Sequence, residues 1–144
     1  MQFCTFFIND IYFGVDVMQV QEVVCFQEIT PIPLAPLDIA GLINLRGQII
    51  TVIDLKCRLG MSNKLMVNEQ GSFNIILCTR LELVSLLVDK MGDVVEIIDS
   101  EIEDTPATLN DNIRQMIYGT YQLDDGFLLI LNTENVLESK GFMS

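Results

Sequence analysis

There is no histidine and no tryptophan in these 144 residues, and eight lysines and arginines stand against twenty acids. Without histidine, the usual base beside a hydroxyl or thiol nucleophile is missing, as is the imidazole that often completes a zinc site. The four cysteines, Cys4, Cys25, Cys57 and Cys78, are widely spaced and form no C-x-x-C pair. Each has apolar neighbours in sequence, so they read as reduced thiols packed as small hydrophobes. Neither Gly-x-Gly-x-x-Gly nor a Walker pattern is present to cradle phosphate, and a net charge of −12 repels nucleic acid. Carboxylates alone can do acid–base work, but no motif singles out a pair among twenty. No apolar run approaches the ~20 residues of a membrane span, and the opening MQFCTFFIND lacks the cationic start of a signal peptide. The expectation is a soluble, cytoplasmic binding protein with no catalytic residues, no cofactor and no metal.

Half of the residues are apolar, which favours a packed core over disorder. A chain of this size buries roughly two-thirds of its unfolded surface, so one domain, or two small modules sharing a core, is expected. Charge is uneven: residues 1–60 carry a net −3 and residues 61–144 a net −9. Six acids fall between Asp93 and Asp104, which reads first as a solvated face and second as a dock for a basic partner.

Short apolar runs separated by turn residues argue for an all-β chain. Strands are expected at Phe3–Ile8, Ile11–Val17, Phe73–Thr79, Leu83–Val88, around Asp93–Ile98, and at Met116–Leu123 and Phe127–Asn132. The turns fall at Asn9-Asp10 and Asp124-Asp125-Gly126. Val17, Val20, Val23 and Val24 mix spacings of three and one, which suggests a short helical turn or bend before a further strand. Val20-Gln21-Glu22-Val23 alternates as an extended segment would, with Glu22 on its wet face. Lys56–Gly60 reads as one helical turn stopped by glycine. Thr133–Lys140 reads as a short C-terminal helix with Thr133 as its N-cap, and Ser62–Ser72 as a loop dividing two modules. A weak internal echo pairs Val15-Asp16 and Glu22-Val23 with Val88-Asp89 and Glu96-Ile97, and Gly47–Ile50 with Gly126–Leu129.

The chain is organised around Gly41–Leu55, GLINLRGQIITVIDL. Two apolar runs around Arg46-Gly47 predict a β-hairpin. At a period of two, Leu42, Asn44 and Arg46 share one face and Ile43 and Leu45 the other. The preceding TPIPLAP holds three prolines, which exclude helix and predict an extended approach. This stretch, preceded by Ile-Pro-x-x-Pro and by Phe-Gly-Val-Asp-Val-x-x-Val-Gln-Glu-Val, resembles the CheW-like family. That family comprises the bacterial chemotaxis coupling protein, with related domains in the histidine kinase CheA and in CheV. The resemblance is dense over Phe3–Leu55 and followable to Leu137.

What the resemblance implies is a single CheW-like domain over 1–144, built of two SH3-like five-stranded β-barrels packed through a shared apolar core. Approximate subdomains are 15–72 and 73–132, with the N-terminal strand and C-terminal helix free to cross between them. It implies an adaptor joining the cytoplasmic tip of methyl-accepting chemoreceptors to the regulatory domain of CheA. Such an adaptor is a monomer alone and part of a hetero-complex in receptor arrays at the inner face of the membrane. The receptor-binding surface would include Val20, Glu22, Gly41 and Arg46, with Asn44, otherwise a backbone-bonded structural residue, as a lesser candidate. Gly41 would border that contact, unless it merely relieves a crowded strand. Val24 stands where many relatives carry a basic residue and would add apolar surface beside Glu22. Two alternatives stand beside this: a specialised module, CheV-like or of a second chemosensory pathway, and a small-ligand-binding β-barrel. A Met at the start and an end soon after the last helix favour the stand-alone coupling domain.

Overall fold

The computed structural model describes residues 1–25, 27–61, 72–124 and 126–138. Ten strands form: β1 (Gln2–Ile8), β2 (Ile11–Asp16), β3 (Val20–Val24), β4 (Ile39–Leu45), β5 (Gln48–Asp54), β6 (Phe73–Cys78), β7 (Leu83–Val88), β8 (Lys90–Glu96), β9 (Ile117–Leu123) and β10 (Gly126–Leu131). Three short helices join them: α1 (Leu55–Arg58), α2 (Asp111–Met116) and α3 (Thr133–Leu137). Each helix begins at a side chain that accepts from an exposed backbone N–H: Asp54 for α1, Asn110 for α2 and Asn132 for α3. The N-cap of the C-terminal helix is therefore Asn132 rather than Thr133, whose hydroxyl instead donates to Gln19 at 3.0 Å. Helix α2 forms in a polar segment for which the sequence pattern predicts no element. The proline-rich approach also departs from expectation. Only Thr30 pairs, in a bridge to Leu42, and residues 31–38 then make two consecutive turns. The loop expected over 62–72 lies outside the described residues except for Ser72, as do residue 125 of the last turn and residues 139–144.

The strands make two five-stranded sheets, ordered β8-β1-β2-β10-β9 and β3-β6-β7-β5-β4. In each, one central pair is parallel, β2 with β10 and β5 with β7. Laying β1–β5 over β6–β10 makes the two orders identical, with β3 matching β8 and β4 matching β9 at the edges. The echo in the sequence follows this correspondence: Glu22 lies on β3 and Glu96 on β8, while Gly47 precedes β5 and Gly126 opens β10. Each sheet thus takes a hairpin from one half of the chain and three strands from the other.

The sheets therefore do not divide at residues 72/73. β6 and β7, expected in the second module, complete the sheet of β3–β5, whereas β1 and β2 complete that of β8–β10. Burial explains the exchange. Five of the six residues of β7 are buried. At the centre of its sheet, with its edges paired to β6 and β5, it has one face on the shared core and the other on its barrel interior.

Period two sorts the side chains into three cores. Val84, Leu86 and Val88 of β7 face a core shared by both sheets, with Phe6, Phe13, Val15, Ile53, Ile75 and Leu129. Leu87 points the other way, into the interior of its own sheet with Ile43, Ile50, Val52 and Ile76. The second sheet repeats the arrangement with Phe3, Ile97, Tyr121, Leu128 and Ile130. Two small barrels on one common core is the expected SH3-like pair.

Candidate docking surface

The β4–β5 hairpin turns in two residues, since Leu45 pairs with Gln48. Arg46 and Gly47 both take positive φ, 52° and 87°, as a tight right-twisting hairpin requires. Gly47 adopts this without strain. Arg46 is held there with help from Asn44, whose side-chain oxygen accepts the Gly47 N–H at 2.9 Å. Asn44 is exposed and bonded to local backbone, while Ile43 on the opposite face is buried, as the alternation predicts.

From this tip the Arg46 guanidinium reaches back to the Glu22 carboxylate on β3 and donates to it. β3 and β4 are the two ends of the strand order, so the sheet curls until its edges meet across one ion pair. Arg46 keeps 66% of its side chain in solvent and Glu22 27%. Glu22 is thus not a freely solvated strand residue but a half-buried partner. A bulge between Val20 and Glu22 shifts the pairing of β3 on β6. Val20 packs partly against the shared core and Val24 partly into the first barrel. The apolar side chain that β3 exposes is therefore Val23, not Val24. Across the hairpin from Asn44, Ile49 is 60% exposed.

Gly41 is positioned differently from the other candidates. It is buried, has φ +146°, and a Cβ there would overlap the Thr30 carbonyl oxygen and sit 2.8 Å from an Ile29 methyl. Two backbone bonds between Thr30 and Leu42, 2.8 and 2.9 Å, draw these segments together. The close approach that Gly41 permits is made by the chain's own Thr30.

A polar anchor not foreseen from sequence lies behind this surface. Arg58 of α1 is buried, bonding Asp38 through Nε at 2.8 Å and the Val136 carbonyl of α3 through Nη1 at 2.6 Å. The signal was a second cation, two positions beyond Lys56, set between the apolar Cys57 and Leu59 after β5. Lys56 beside it pairs with Asp89 at 3.2 Å. Burial and the nearby Asp54 and Asp38 carboxylates push the Cys57 thiol above its usual range, and burial alone does so for Cys4. Cys25 and Cys78 are exposed, contrary to the reading of all four as core. The six acids of 93–104 are all exposed, and Glu96 pairs with the Met1 ammonium at 2.9 Å.

Two curled sheets, one of which presents an ion pair and, on the same hairpin, an exposed isoleucine at its rim, define a docking module by class. The chain belongs to the CheW-like domain family, whose model matches residues 2–141. A probable chemotaxis protein CheW of Rhizobium etli is 33% identical over 129 residues, covering 90% of this chain and 82% of that protein. The chemotaxis protein CheW of Bacillus subtilis is 30% identical over 139 residues, covering 96% and 88%. Among solved structures, the scaffolding protein TtCheW of Thermoanaerobacter tengcongensis superposes with a TM-score of 0.84. It is 33% identical over 97% of this chain and 89% of its own.

Proposed function

We infer that this chain is a chemotaxis coupling scaffold that joins the cytoplasmic tips of chemoreceptors to the regulatory domain of the histidine kinase CheA. The observation that carries the reading is the Glu22–Arg46 pair. It holds a cation and an anion at a solvent-facing rim, with exposed Ile49 on the same face of the hairpin. Apolar contacts supply most of the affinity of such a surface, and the charges fix register and exclude wrong partners. On this reading Glu22, Arg46 and Ile49 form the receptor face. Val20 acts from beneath it, Asn44 shapes its turn and Gly41 supports it from inside. The working place is the cytoplasm, in complexes beneath the membrane. Among the described residues, no helix is long and apolar enough to cross a membrane. Signal would pass as a coupling free energy between two docking sites rather than as chemistry in the adaptor.

The test is titration of the purified protein against a receptor-tip fragment and, separately, the kinase regulatory domain. Wild type should bind both at roughly micromolar strength, about −8 kcal/mol. Arg46→Ala and Glu22→Ala should weaken the receptor fragment by about 1–3 kcal/mol and leave the kinase domain unaffected. Equal weakening of both partners would overturn the assignment of this face.

A further inference from the structure

The loop between Thr30 and Ile39 carries a feature that the fold does not use. The Ala35 N–H donates to the Ile32 carbonyl at 3.2 Å, closing a turn with Pro33 and Leu34 at its centre. Proline first and a positive φ second is the pattern of a type II turn, whose second central position ordinarily belongs to glycine. Here it is Leu34, at φ +65° and 104% exposed. A branched apolar side chain is thus held in a left-handed conformation and entirely in water, where it contributes nothing to the core. Ile32 and Leu37 beside it are also exposed.

The loop is stiff. Three prolines fix φ within it, and the Ile39 N–H donates to Pro36 at 3.0 Å to close a second turn. The base is tied by the Thr30–Leu42 bridge and by Asp38 on buried Arg58. An apolar knob preorganised in this way loses little entropy when it enters a pocket, which is how interface anchors concentrate binding energy.

We propose that Leu34 is the anchor of a second docking surface, inserted into an apolar pocket of a protein partner whose pocket rim is neutral or basic. Residues 30–37 carry no charge in a chain of net −12, so a rim of that kind meets no repulsion there and is drawn by the rest of the surface. A second copy of this chain is a poor occupant. Two copies repel, and two open surface depressions among the described residues carry acids in their lining, Glu101 and Glu103 beside Ile102 and Tyr121 in one and Asp111 in the other. The knob precedes Ile39 and the ion pair follows Leu45. Thr30 pairs antiparallel with Leu42, so the loop leaves toward the Ile39 end of β4. Arg46 lies past its other end, and the seven residues between span roughly 20 Å. The two surfaces are therefore distinct, and resting on the proposed adaptor function, the kinase regulatory domain is the partner assigned to Leu34.

Leu34→Gly tests this directly, because glycine suits the turn and removes only the knob. Thermal unfolding should be unchanged or shifted upward, while affinity for the kinase domain falls about tenfold or more and that for the receptor-tip fragment is retained. Leu34→Asp should abolish kinase binding. Unchanged kinase affinity in both variants overturns the proposal while leaving the adaptor reading intact. So does a drop in stability for Leu34→Gly, which would mean that the fold itself uses the leucine. Loss of receptor rather than kinase binding overturns the partner assignment. Wild-type protein that binds neither probe removes the adaptor reading and this proposal with it.

Discussion

At the scale of single residues, position in the sequence and role in the surface separate cleanly. Gly41 was a candidate contact on resemblance, yet its hydrogen faces the Thr30 carbonyl. Gly41→Ala should lower stability by about 3 kcal/mol through overpacking and backbone strain, read by denaturant unfolding. Arg46 is the opposite case. Its pair with Glu22 is exposed, so Arg46→Ala should change stability by less than ~1 kcal/mol while weakening the receptor contact. The exchange Glu22→Arg with Arg46→Glu should keep the protein folded and still fail on the receptor, since the partner would meet each charge in the other's place. Arg58 shows what burial does to the same kind of ion pair. Arg58→Met leaves Asp38 without its cation and should lower stability by about 3 kcal/mol. The thiols give a further check. At neutral pH iodoacetamide should alkylate Cys25 and Cys78 first. Cys57, its pKa raised by burial and by carboxylates, should react only as pH rises further, because the thiolate is the nucleophile.

At the scale of elements, most strands were legible because each is a short apolar run of one period, bounded by turn residues. The central hairpin was legible down to its faces, since Asn44 and Arg46 break the apolar runs on one parity. Other features had weaker local signals. The six-residue α2 rests on Asn110 as its cap, in a stretch too polar to show a helical stripe. TPIPLAP excluded helix correctly, but proline permits turns as readily as extension, and the local hydrogen bonds at Ile32 and Pro36 decided for turns. On β3 the alternation put Glu22 in water. A bulge and a partner 24 residues away on the far edge of the sheet put it half inside. No pattern within five residues encodes that pairing.

At the scale of the whole molecule, two copies of one topology are interleaved, and neither half completes a sheet without the other's hairpin. The internal echo held the repeat but not the exchange, because the pairing of β1 with β8 joins residues more than eighty apart. Such interleaving predicts one cooperative transition. Unfolding followed by far-UV circular dichroism and by tyrosine fluorescence should coincide, and separate midpoints for the two sheets would contradict it. Both proposed docking surfaces lie on the barrel of β3–β7, at the two ends of β4, so their relative angle is fixed within that barrel. A net charge of −12 also sets copies of the chain against one another and disfavours acidic partners.

The most direct measurement of the central claim is sequential calorimetric titration of the full chain, first saturated with the receptor-tip fragment and then titrated with the kinase regulatory domain. Two separate docking faces predict a ternary complex, with kinase affinity close to that of the free protein. Displacement of the receptor fragment by the kinase domain would show that both use one site, and the protein would not be the scaffold described.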